Sequence, residues 1–163
     1  MWEVVNMWVN MKLHNSCDSI KPFLVDNFFR VRGQSLFVEV GHNVQNWFYG
    51  QTCLLPKRCK ICAYRFGDVV SSDVFIKNFG QTVHSKMSLA IVASLLFRQS
   101  SDGVGILSTD GRPNIFVTPT PHFLCLVGLY YSRYPRAGWR IRAYQPARTP
   151  RDWFAKSQVV IVE

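Results

Sequence analysis

The sequence predicts an α/β fold of the α+β kind: two helices on a small mixed or antiparallel sheet, preceded by a β-rich N-terminal extension. Three observations carry this. From Asp68 the hydrophobic pattern reads helix, helix, four strands, short helix, strand. Glycine and proline turn signals separate the strands. The hydrophobic fraction of 48% and the aromatic fraction of 14% supply a core and exclude a disordered chain. At 163 residues the chain is long enough for one domain with an extension. The expected division is 1–67 and 68–163.

Residues 2–13 fit either a strand or a short helix. Residues 22–32 and 35–40 read as strands joined across Gly33 and Gln34, because apolar and β-branched residues dominate both. Residues 41–56 contain Gly41, Asn43, Asn46, Gly50 and Pro56, so a loop is expected there, anchored by Trp47, Phe48 and Tyr49. The segment 68–78 suits a short amphipathic helix with Val69, Val70, Val74 and Phe75 on one face. Residues 85–100 form a stronger helix. Leu89, Val92, Leu95 and Leu96 recur at helical spacing, and Ser85 is placed to cap the N-terminus. Residues 104–109 and 114–119 are expected as strands around the turn Asp110-Gly111-Arg112-Pro113. Residues 123–132 and 139–144 follow as two more strands. Pro150-Arg151-Asp152 opens a short helix, and residues 159–163 make a last strand.

The formal net charge of +9 favours polyanionic partners: RNA, DNA or an anionic membrane surface. Residues 1–67 carry eight basic and four acidic side chains, and residues 68–163 carry eleven and six. The excess is therefore local. One concentration is Lys57, Arg58, Lys60 and Arg65. The other is Leu129–Arg151, which holds Arg133, Arg136, Arg140, Arg142, Arg148 and Arg151 and no acidic residue. Tyr130, Tyr131, Tyr134, Trp139 and Tyr144 are interleaved with these arginines. A guanidinium is a planar fork of donors that matches phosphate and stacks on flat rings. On a strand–turn–strand this pattern points to a nucleic-acid surface. The competing explanation is an edge hairpin kept soluble by charge. Strand alternation puts Arg140 and Arg142 on one face, and Trp139 and Ile141 on the other.

No apolar run approaches the roughly 18–20 residues that span a bilayer, so no membrane role is expected. The start lacks the basic region of a signal peptide, and Glu3 with a first arginine at Arg30 makes a poor presequence.

The cysteines are Cys17, Cys53, Cys59, Cys62 and Cys125. An odd count without a secretory signal argues for reduced thiols. Cys59-Lys60-Ile61-Cys62 is half of a zinc motif, since tetrahedral zinc takes four ligands. Cys17, Cys53, His14 and His42 are available to complete a set, as is a neighbouring chain. Zinc is thus a possible cofactor at Cys59 and Cys62, and two reduced thiols in a basic loop are the alternative. Cys125 lies in an apolar run and reads as core.

Enzyme readings find little support. No H-x-E precedes the C-x-x-C as a zinc deaminase requires. No phosphate-binding glycine loop is present. His14, His42, His84 and His122 lack a nearby paired carboxylate. A Cys–His nucleophile pair remains open, because such partners need meet only in space.

Several motifs, in order, resemble the N-terminal domain of the bacterial-type small-subunit ribosomal protein eight. Asp68 opens the first helix, and Ile76-Lys77-Asn78 with Gly80 closes it. Ser85-Lys86 leads the second, apolar helix. Ser132-Arg133, Pro135, Gly138, Arg140-Ile141 and Tyr144 follow the family's strand-end pattern. Thr149-Pro150 and Val159 to Val162 match its Pro-led segment and Val-rich strand. The likeness covers residues 68–163. The connection between the helices is shorter than in the family and the arginine turn is longer. The family's C-terminal domain, with its Ser/Thr–Lys–Gly loop, has no counterpart.

The resemblance implies a structural, non-catalytic protein that binds small-subunit rRNA and neighbouring small-subunit ribosomal proteins. It implies RNA contacts at Lys77, Asn78, Ser85, Lys86, Arg133, Arg136, Arg140 and Arg142. An organelle-encoded mitochondrial version is expected, with a separate chain supplying the C-terminal domain. The alternative from another class is a protein–protein interaction module, such as a viral or host accessory factor, assisted by zinc at Cys59 and Cys62.

Overall fold

The β-branched and aromatic runs at 114–119, 124–132 and 138–144 form an antiparallel meander, and the other described strands of the main sheet extend it on both sides. The computed structural model describes residues 2–3, 9–12, 23–29, 36–53, 58–83, 87–102, 105–146, 152–153 and 157–162. In chain order the first strands are β1 (Trp2–Glu3), β2 (Val9–Lys12), β3 (Phe23–Leu24), β4 (Phe37–Val40), β5 (Thr52–Cys53) and β6 (Arg58–Phe66). They are followed by β7 (Val70–Ser71), β8 (Asn114–Pro119), β9 (Leu124–Ser132), β10 (Gly138–Tyr144), β11 (Asp152–Trp153) and β12 (Gln158–Val162). The helices are α1 (Val25–Asn27), α2 (His42–Phe48), α3 (Ser72–Val83) and α4 (Leu89–Asp102).

Among the described residues eight strands join one sheet, in the order β1-β6-β12-β8-β9-β10-β4 with β2 also on β6. The pairs β12–β8 and β10–β4 are parallel, and the other pairs of the sheet are antiparallel. The fold is α+β with a mixed sheet. Strands β4 and β6 come from the first 67 residues yet lie in the same sheet as β8 to β10 and β12. The 67/68 boundary therefore falls between paired strands, and Phe66 N–H donates to the Ser157 carbonyl at 2.9 Å.

The core runs along the middle of the sheet. Ile115, Phe116 and Val117 of β8, Cys125 to Val127 of β9 and Val159 and Val160 of β12 are fully buried. Helix α4 contributes Leu89 to Ala93, Leu95 and Leu96, all buried, as expected for a helix apolar nearly all round. It begins at Leu89, and the Ser88 carbonyl accepts from Ile91 and Val92 N–H. Ser88 thus holds the cap position expected of Ser85, which lies outside the described residues. Helix α3 begins at Ser72, and Val74 N–H donates to Ser71 Oγ at 3.5 Å. Phe75 is buried, whereas Val69 and Val74 are exposed, so the apolar face expected to include all three is rotated toward Phe75 and Ile76.

Four other expectations are corrected. Within 22–32 the chain turns into α1 after two strand residues, and Phe28 and Phe29 pack with Phe37 as a ring cluster. The expected loop at 41–56 contains α2, whose Val44 and Phe48 are buried. Residues 152–153 form β11 on β7 instead of a helix. The Trp153 indole N–H donates to Ser72 Oγ at 3.2 Å, and its ring meets Tyr144 edge-on at 5.5 Å.

Residues 105–108, expected as a strand, form an irregular segment held by side-chain amides. Leu107 N–H donates to Gln99 Oε1 and Gln99 Nε2 donates back to the Leu107 carbonyl. Ser108 N–H donates to Asn114 Oδ1, whose Nδ2 donates to the carbonyls of Ser108 and Leu129. Gln158 Nε2 donates to Asn114 Oδ1 and to the Ile106 carbonyl. These amides satisfy buried backbone groups that a ladder would otherwise pair. The turn at 110–113 forms as expected, with Arg112 N–H on Asp110 Oδ1 at 3.0 Å and Gly111 at φ 88°.

Candidate nucleic-acid interface

The candidate site is the β9–β10 hairpin and the short strand β4 beside it. The hairpin is registered from Gly138 opposite Ser132 to Tyr144 opposite Leu126. Gly138 sits where β10 meets β4: a Cβ there would fall 2.5 Å from Val38 Cγ1, so only glycine lets the strands close. Trp139 N–H donates to the Leu36 carbonyl and Gly41 N–H to the Ile141 carbonyl, both at 2.8 Å. Beyond β4 the Asn43 side chain of α2 donates to the Ala143 carbonyl at 3.0 Å. Helix α2 thereby covers the edge that a four-residue strand leaves open.

Alternation along β10 places the arginines as expected. Trp139 and Ile141 are buried, and Trp139 meets Tyr131 edge-on at 5.3 Å. Arg140 and Arg142 lie on the other face, with side chains 23% and 44% exposed.

Their electrostatic setting differs from the sequence expectation. The run Leu129–Arg151 contains no acid, but Glu39 reaches it from β4. Arg140 Nη1 donates to Glu39 Oε2 at 2.6 Å, and Arg142 Nε donates to Oε1 at 2.7 Å. In register, Arg140 stands between Glu39 and Tyr130, and the Arg142 guanidinium lies 6.0 Å from the Tyr130 ring centroid. Burial alone would raise the Glu39 carboxyl, but hydrogen bonds and charge from Arg142 and Arg140 hold it below its ordinary value. The Glu39 hydrogen bond in turn raises Arg142. The face keeps a net positive charge, since one carboxylate opposes two guanidiniums.

At the hairpin end Arg133, Tyr134, Pro135, Arg136 and Ala137 are all exposed. Neither Arg133 nor Arg136 has an ion pair among the described residues. Ser132 Oγ donates to the Tyr134 carbonyl at 2.7 Å, which ties down the start of the turn.

Of the other residues selected from sequence, Lys77 and Asn78 lie on α3 and not on the hairpin. Lys77 is exposed on α3, a helix that packs against β7 and β8. Asn78 is on the same helix, with its side chain outside the described residues, as are Ser85 and Lys86.

The expected basic loop around Cys59 and Cys62 is strand β6, where position 59 pairs with Met11 and Cys62 with Ile161. Among the described residues no group of three or more His, Cys, Asp or Glu is placed to hold a metal. Cys125 is fully buried, and burial pushes its thiol up to about 12.

Glu39 is the residue that sequence reasoning missed. Its signal was a lone acid in the apolar run 35–40, but its partners lie more than a hundred positions away. Among the described residues no helix is long and apolar enough to cross a membrane. No family model, curated protein or solved structure matches the chain.

Proposed function

We propose that this chain is a structural RNA-binding protein, and that its partner is small-subunit rRNA, as the likeness of residues 68–163 to ribosomal protein eight implies. The observation that supports the reading best is the hairpin: four described arginines on one strand–turn–strand, opposed by the single carboxylate of Glu39. Arginine forks suit phosphate oxygens, which anchor a protein on RNA without any reaction. Arg133 and Arg136 are open to contact phosphate at the tip. Arg140 and Arg142 are already ordered by Glu39, so binding costs them little further side-chain freedom. The apolar sheet beneath fixes the spacing. In this reading the protein acts as a scaffold in a mitochondrial small subunit, beside neighbouring ribosomal proteins.

Sedimentation of an organelle lysate through sucrose, with and without RNase, tests the proposal. Co-migration with the small subunit that RNase abolishes is the expected result. A light position indifferent to RNase would overturn it.

A further inference from the structure

We infer that Tyr134 is a stacking site for an unpaired RNA base, flanked by phosphate contacts at Arg133 and Arg136; this rests on the RNA-binding reading above. The aromatic side chains of the hairpin divide into two kinds. Trp139 and Tyr131 pack on each other, Tyr144 packs on Trp153, and Tyr130 lies beside Arg142. These rings are engaged within the fold. Tyr134 is 85% exposed and is bracketed by two exposed arginines. A large ring held in water at a basic tip contributes nothing to the core, and it offers a partner a flat apolar face with a polar end.

The backbone that carries the ring is tied down. The Ser132 hydroxyl bonds the Tyr134 carbonyl, and a tyrosine side chain has only two torsions to order on binding. Paired RNA gives such a ring little to do, because A-form helices keep their bases stacked and their major groove closed to side chains. A base in a loop or bulge presents a free π face, and stacking on an aromatic side chain tolerates any base. The ligand class is therefore RNA with an unpaired nucleotide next to a phosphate backbone that the two arginines track.

Two RNAs with equal phosphate number provide the test, one a continuous stem and one with a bulged 2-aminopurine. The full chain, Y134A, Y134F and R133Q/R136Q are each titrated with both. The full chain and Y134F are expected to favour the bulged RNA by about tenfold and to quench its fluorescence. Y134A is expected to lose the preference and the quenching while binding the stem as before. If Y134A keeps the preference while R133Q/R136Q weakens both RNAs, stacking is refuted and phosphate binding stands. If neither variant changes either titration, the tip is not an RNA site and both readings of it fail. Melting curves matching the unsubstituted chain confirm that the variants are folded.

Discussion

Arg142 and Glu39 stand 103 positions apart in the chain, yet Arg142 Nε donates to Glu39 Oε1 at 2.7 Å. The other carboxylate oxygen takes Arg140 at 2.6 Å. One acid on a four-residue strand thus sets the direction of two guanidiniums on the strand beside it. The pairing is parallel, with Arg140 in register with Glu39 and a register shift between Trp139 and Arg140. It links the earliest strand of this half of the sheet to the arginine hairpin.

Replacing Glu39 by Gln keeps the shape and removes the charge. The side chain is 29% exposed, so solvent screening limits the expected loss to about 0.5–1 kcal/mol. The folded carboxyl lies below its ordinary value of 4.5. Its stabilisation is therefore complete above the unfolded value and is lost as pH falls through the folded one. Urea midpoints of the two proteins should differ at pH 7 and converge below pH 4.5. A gap that persists undiminished at pH 3 would contradict the pairing.

Arg133 and Arg136 supply the cleaner test of RNA contact. Neutralising both as R133Q/R136Q should weaken binding and lower the slope of log K against log salt by about 1.4–1.8, the value for two lost phosphate contacts. Thermal stability should not move, because both residues are exposed. Charge reversal at Arg140 and Arg142 would place like charges around Glu39 and unsettle the hairpin, so lost binding there would mix two causes. A salt slope unchanged in R133Q/R136Q removes the tip from the interface.

Asn114 is fully buried and serves Ser108 N–H and the carbonyls of Ser108 and Leu129. Asn114→Ala strands these groups and should cost about 3 kcal/mol or more, roughly a 10 °C lower melting point for a chain of this size. Asn114→Asp should cost more, because it turns the Nδ2 donor into an acceptor facing two carbonyls. Calorimetry of the three proteins decides the order.

Cys125 has no exposed surface, and burial pushes its thiol up to about 12. A thiol reagent at pH 8 should leave the Cys125 peptide unmodified in the native chain and label it fully in denaturant. Peptide mass spectrometry reads this directly. Native labelling at the rate of a free thiol would show that β9 opens readily.

The legible parts of the fold are those specified locally. Strands β8, β9, β10 and β12 are runs of β-branched and aromatic residues, the 110–113 turn has its Asp-Gly pair, and α4 repeats its apolar residues at helical period. The illegible parts are settled by distant partners. Helix α2 carries Asn43 and Asn46 and is flanked by Gly41 and Gly50, all loop formers, but Asn43 finds the Ala143 carbonyl and Phe48 finds the core. Ile106 to Ser108 look like a strand, but amides of Gln99, Asn114 and Gln158 claim their backbone first. Pro150-Arg151-Asp152 resembles a helix start until Trp153 docks on Ser72. Of the candidate site, the alternation of Arg140 and Arg142 was readable from period alone. Glu39 was not, because no local pattern names a partner a hundred residues away.

Strand β12, residues 158–162, lies in the middle of the sheet with β6 on one side and β8 on the other. During vectorial synthesis, β6 and the β8–β9–β10–β4 group emerge first, each with an inner edge that has nothing to pair with. The nascent chain must hold two unjoined half-sheets until the last few of these residues leave the exit tunnel. Interruption of translation before Gln158 would release a polypeptide with open, apolar edges, a species prone to association and a substrate for chaperones and proteases.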